Sequence, residues 1–357
     1  MKKILILFLI LHSAISINTT AQTEVRAFQP GANVDGVSYY LPRTAVRVVL
    51  TAEKTTVTPG ELARYAYRYM HIQDVPTQKS TTWKIKKVEL QPYGVPDADK
   101  AYSIRLKGRT LAPLVSLTRD GLILGINTEV TEQQLPALPE VEEPAAKPNP
   151  QKYLSQDMLS AGSAAKLAEL VAEEIYDIRD SRGSLLRGEA DNTPKDGAQL
   201  QLMLDGIDQE DAALTGMFQG TTETRTEIYT LDVTPAEATD KLLLCRFSQK
   251  LGILDTDDMA GSPLYIRISP QNAAATDTAN IQRDNARKEK TAQGVRYNIP
   301  VMTSLEVYDA HDSYAALDTP MSQFGTTEIL SNTLFDKRTT TKVTFYQSTG
   351  GIKKIEE

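Results

Sequence analysis

Apolar residues recur at every second position along two long stretches of this chain, and at every third or fourth position in one block between them. That change of period limits the fold more than any short motif does. Alternation places one apolar face on a strand, whereas a 3.6-residue period places an apolar stripe on a helix. In AVRVVLTAEKT, Val46, Val48 and Leu50 share one face, and in AYSIRLKG, Tyr102, Ile104 and Leu106 alternate with Ser103, Arg105 and Lys107. WKIKKVEL puts Trp83 and Ile85 on one face and then shifts register to Val88 and Leu90. VSLTRDGLILGIN reads as a hairpin turning at Asp120-Gly121, a strong turn dipeptide. Alternation returns after Gly220 in TEIYTLDV, KLLLCRFSQ, LYIRISP, TSLEVYD and KVTFYQ.

Helical spacing takes over from residue 151 to residue 219. In SAAKLAELVAEEIYDIRDSRG, Leu167, Val171, Ile175 and Ile178 fall on one face, and Gly183 is the expected stop. Glu169, Glu173, Asp177 and Asp180 repeat the same spacing about 200° around the axis, so the opposite face is acidic. Like charges at i, i+4 weaken a helix slightly, which makes this stripe a candidate interaction face for a basic partner surface. A second helix carries Leu200, Leu204 and Ile207, with Gly206 expected to bend or split it near Asp208. Between the two, RGEADNTPKDG holds Glu189, Asp191 and Asp196. Asp196 with Gln199 three residues on is a helix-capping signature, so the segment reads as the hinge of an antiparallel hairpin. A shorter helix is expected in TPGELARYAYRYMHI, with Thr58 as cap, Pro59 at the first position and Glu61 closing a capping box.

Residues 131–150, TEQQLPALPEVEEPAAKPNP, hold five Pro and four Glu, a composition that suits an exposed semi-rigid linker. The resulting expectation is an α+β chain: antiparallel β-sandwich-like domains with an inserted helical hairpin. Its parts are a leader (1–21), an N-terminal β domain with one short helix (22–130), the linker, the hairpin (151–219) and a C-terminal β domain (220–357).

The leader has a basic start at Lys2 and Lys3, an apolar run from Ile4 to Leu11, and small residues at Thr19-Thr20-Ala21. Those are the parts of a secretory signal peptide. The run is too short to span a bilayer, and no later segment is apolar enough to do so. No cysteine lies near the cleavage point, so no lipid anchor is expected. Export without the leader moves the formal charge from −7 to −9, which argues against nucleic acid and against an anionic membrane surface as partner. The single cysteine, Cys245, lies in an apolar run and is read as a buried small hydrophobe. An exported chain with one cysteine folds on its core alone.

Catalytic machinery is sparse. His71 ends the short helix, and His311 in VYDAHDSY has Asp309, Asp312 and Ser313 beside it. Members of a Ser-His-Asp triad normally come from separate loops, and no nucleophile elbow, paired-histidine zinc motif or phosphate loop is present. Asp255, Asp257 and Asp258 begin a calcium-like loop, but Ala260 and Ile266 occupy the places where an EF-hand needs Gly and Glu. No metal or cofactor is therefore expected.

GANVDGVSYYLPRTAVRVVLTAEKTTVTPGELARYA, YGVPDADKAY, GEADNTPKDG and KVTFYQSTGGIKKI together resemble a family of exported Bacteroidetes proteins known only as a domain of unknown function. The resemblance covers nearly the whole chain after the leader and implies a Gram-negative cell envelope. It supplies no catalytic residues. In that setting Asp277-Thr278-Ala279 resembles an O-glycosylation sequon at Thr278. The function expected is a non-catalytic protein of the periplasm or outer membrane, binding another envelope protein or supporting an assembly. The alternatives are a hydrolase of envelope polymers or glycans, with residues 309–313 as its visible candidates, and a glycan- or small-ligand-binding module.

Overall fold

The computed structural model describes residues 24–27, 36–105, 115–141, 143, 149–190, 194, 196–271, 294–331 and 341–356. The leader and Thr278 lie outside the described residues. The architecture is α+β, built from antiparallel sheets and a helical layer. One sheet has the order β1 (Glu24–Ala27), β3 (Ser80–Arg105), β2 (Val37–Thr58), β6 (Thr221–Val233). A second has the order β11 (Ser313–Ser331), β10 (Gly294–Tyr308), β9 (Ser262–Pro270), β7 (Thr239–Ser248), β8 (Gly252–Leu254). The third, small sheet has the order β13 (Ile352–Glu356), β12 (Lys342–Phe345), β5 (Ile123–Ile126), β4 (Val115–Leu117).

Alternation on β2 and β3 does what pleated geometry requires. Val46, Val48 and Leu50 of β2, with Ile85 and Val88 of β3, pack against Leu264, Ile266, Leu305 and Val307 of the second sheet. The register shift in WKIKKVEL is a bulge: Thr51 pairs with Lys87 and Ala52 with Ile85, leaving Lys86 as the extra residue. Further along the same strands, Tyr39, Leu41 and Ile104 face Ile123, Ile126, Val343 and Phe345 in a second apolar core. The hairpin of β2 and β3 therefore runs through both cores, as do β10 and β11 through Leu305, Met321, Val295 and Leu330. Residues on either side of the 131–150 segment share these cores, because β6 pairs with β2 and β12 pairs with β5.

Between the two cores lies a buried polar layer. Asn298 and Thr44 are each 0 % exposed. The Asn298 amide donates to the carbonyls of Pro42 at 3.0 Å and Thr349 at 2.9 Å. Thr44 Oγ1 donates to the Ser348 carbonyl at 2.9 Å and accepts the Ser322 N–H at 3.1 Å. Gln323 closes the set, accepting from Thr44 N and donating to Thr44 O, both at 3.0 Å. Residues 97–100 of the YGVPDADKAY segment adjoin this layer as a bulge in β3, between the pairs Tyr40–Ala101 and Pro42–Pro96.

The helical layer packs separately. Leu62, Ala66 and Met70 around α1 (Ala66–Met70) meet Met158 of α2 (Gln156–Leu159). They also meet Val171 and Ile175 of α3 (Ala164–Arg187) and Leu214 and Phe218 of α4 (Gly197–Gln219). Three local expectations are corrected. Thr58 is not a helix cap but the last residue of β2, paired with Thr221, and α1 begins only after a 3₁₀ turn at Ala63–Tyr65. The ladder takes Thr58, and the Leu62 N–H bonds the Met217 carbonyl at 2.8 Å, so the end of α4 sets where the helix can start. Gly183 does not stop α3, which continues to Arg187 and ends at Gly188, whose φ of 72° suits glycine. Gly206 does not split α4, which is continuous from Gly197 to Gln219. Among the described residues, no helix is long and apolar enough to cross a membrane.

Asn298→Ala leaves the Pro42 and Thr349 carbonyls buried without this donor. The expected cost is about 2–4 kcal/mol, read as a lower urea midpoint at unchanged slope. An unchanged midpoint would show that the polar layer does not hold the cores together.

Candidate functional site

Among the described residues, a cleft of about 1170 Å³ lies where the third sheet meets the outer edge of β3. One wall is Pro92–Pro96 of β3; the other is the end of β12 with Lys353 and Lys354 of β13. Residues 130–136, the start of the Pro/Glu segment, cross it as a strap. Hydrogen bonds tie the strap down. Ser116 Oγ donates to the Thr128 carbonyl at 2.7 Å and accepts the Val130 N–H at 3.3 Å. The Gln347 side chain clasps residue 133 as a strand would, accepting Gln133 N–H at 2.8 Å and donating to Gln133 O at 3.1 Å. Gly94 is required here, because a Cβ would stand 2.2 Å from the Gln347 carbonyl oxygen.

Two tyrosines border this space. Tyr346 is 50 % exposed, and the Lys353 ammonium sits 6.0 Å from its ring centre. Its backbone is fixed by the turn after β12, donating to Gly351 O at 2.8 Å and accepting from Gly350 N at 2.7 Å. Tyr93 is less exposed and is covered by the Arg47 guanidinium at 5.6 Å. Arg47 also forms a bidentate pair with Asp232, at 2.9 and 3.2 Å. That pair holds the Asp232 carboxyl below the usual carboxylate range, partial burial opposes it, and Tyr93 adds to it. No signal within the cleft segments marked them as a site in the sequence. Their one visible cue is the pairing of a Pro-Tyr-Gly-Val-Pro run with a distant Tyr-Gln.

The acidic face of α3 lies as its spacing predicts. Val171, Ile175 and Ile178 are buried, while Glu173, Asp177 and Asp180 are exposed and have no ion-pair partner among the described residues. Glu169 is half-buried and pairs with Lys166 at 3.3 Å. The periodic reading of that face missed two arginines that staple the hairpin. Arg179 binds Asp211 at 3.0 Å and Arg182 binds Asp208 at 2.6 Å. Their matched three-residue spacing on antiparallel helices was the available signal. In the hinge, Asp196 caps α4 by accepting the Ala198 N–H at 3.1 Å, and Glu189 pairs with Arg187 at 2.7 Å. Asp191 lies outside the described residues.

Several of the remaining candidates have structural employment. Asp309 accepts the N–H groups of His311 and Asp312, each at 2.7 Å, and the Tyr314 hydroxyl at 2.9 Å. Ser313 donates to Glu306 at 2.8 Å, away from the exposed His311. His71 is the left-handed cap residue of α1. Asp258 closes its own turn by accepting the Ala260 N–H at 2.9 Å. Burial pushes the Cys245 thiol up to about 11. Among the described residues, no group of three His, Cys, Asp or Glu side chains is placed to hold a metal ion.

The Asp232 carboxyl is depressed in the folded state, so its contribution is present above the unfolded carboxylate pKa and is lost as pH falls through the folded value. Asp232→Asn is therefore expected to lower the melting temperature at neutral pH, with the gap to the parent closing in acid below the usual carboxylate range. A gap independent of pH would separate the loss from this charge.

No curated protein and no solved structure matches the chain. A family model described as Domain of unknown function (DUF4831) matches residues 35–353, and the chain belongs to that family.

Proposed function

We propose that this chain is a non-catalytic exported protein of a Bacteroidetes-type cell envelope, acting in the periplasm or at the outer membrane by binding another envelope protein. The secretory pattern of residues 2–21 supports export. The observation that carries the reading is the outward face of α3. Glu173, Asp177 and Asp180 stand exposed there, while Arg179 and Arg182 on the same helix are taken up by α4. Uncompensated like charges one turn apart cost the helix stability, and a basic surface laid against them reverses the sign of that contribution.

The cleft favours a second reading, a saccharide- or small-ligand-binding module. It is roomy enough for a ligand, and its mixture of aromatic and polar side chains supports that reading.

The test of the first reading is recovery of partners from detergent-solubilised envelopes on the tagged protein, compared with the triple variant Glu173→Lys, Asp177→Lys, Asp180→Lys. The expected result is one stoichiometric partner, lost from the variant and weakened by salt, with unchanged melting of the variant. Equal recovery on both proteins, or no partner on either, contradicts it.

A further inference from the structure

The geometry points to the Tyr346–Lys353 corner of the cleft as a binding site for an acidic oligosaccharide. This rests on the second reading above, that the cleft holds a ligand, and it adds the class of ligand and the residues that select it.

The β3 wall rejects a peptide strand. Pro92 and Pro96 sit two residues either side of Gly94, so all three share one orientation along the strand. A proline in a ladder turns its missing N–H away from the partner strand, here away from β2 and toward the open edge. Along that edge β1 pairs only with residues 102–105, so positions 92 and 96 present no donor to an added strand. The Gln347 carbonyl lies against Gly94. Recognition at this wall therefore falls to side chains and not to a backbone ladder.

The side chains on offer suit a sugar. Tyr346 gives a half-exposed ring on a rigid turn, an amphipathic platform for the C–H face of a pyranose. Gln134 and Asp120 line the same space and can exchange hydrogen bonds with hydroxyls. Charge selects the class. Lys354 is paired with Glu356, and the Asp120 and Glu132 carboxylates also line the cleft, so the selection is local to the Tyr346 ring. Lys353 is exposed beside the Tyr346 ring and has no ion-pair partner among the described residues. A ring stacked on Tyr346 brings its carboxylate within reach of that ammonium, a pairing that a neutral sugar cannot make.

Titration calorimetry of the full exported chain with tetragalacturonic acid and with maltotetraose tests this. The expected result is binding of the acidic tetrasaccharide, weakened by added salt. Tyr346→Ala and Lys353→Gln are each expected to weaken it by about tenfold or more, and maltotetraose by a similar factor or more. Both side chains are exposed, so unchanged melting of the variants certifies their fold. Equal affinity for maltotetraose, lost in Tyr346→Ala, overturns the acidic class and leaves the cleft as a ligand site. Binding untouched by both substitutions overturns the location. No binding of either saccharide overturns the proposal and removes saccharides from the reading beneath it.

Discussion

The fold depends on one constraint: four long strands must pass from one apolar core into another, and the crossing has to satisfy their backbone. Apolar side chains alone cannot do so, because the β2–β6 ladder stops at Val46 and leaves the Pro42 and Thr44 carbonyls to be met by side chains inside the protein. The Asn298 amide, Thr44, Ser322 and Gln323 meet that need from β10, β2 and β11. Satisfied networks of this kind fix one register, since a slip by one residue would bury unpaired polar groups.

Everything with a functional reading hangs from this frame. The α3–α4 hairpin returns directly into β6, and β6 pairs with β2 over residues 221–233, so the acidic face is carried on a continuous ladder with one of the crossing strands. The cleft stands at the other end of β2 and β3, where the turn after β12 meets the polar layer through Ser348 and Thr349. Ligand contacts at Tyr346 would therefore be made on a preorganised surface, which lowers the entropic cost of binding.

Local physics was legible in the residues. Alternation on β2, the bulge at Lys86, the turn at Asp120-Gly121, the Asp196 cap and the two faces of α3 all follow from period and capping chemistry. What could not be read was decided by distant partners. Thr58 has a capping pattern after it, but Thr221 claims it for a ladder, and Gly206 sits in a helix that Arg182–Asp208 and Arg179–Asp211 hold to α3 just beyond it. The cleft was illegible for the same reason. Gln347 and Gln133 are joined across 214 positions, and nothing in a Pro/Glu-rich segment marks its first residues as a wall.

The central claim is that the crossing strands make the two β cores one cooperative unit. Its most direct test is backbone hydrogen exchange in Leu50→Ala, a change confined to the first core that is expected to cost about 2–5 kcal/mol. The slowest amides of β12, in the second core, are expected to lose protection by the same free energy as those of β9 and β10. Retention of full protection in β12 while β9 and β10 open would contradict it.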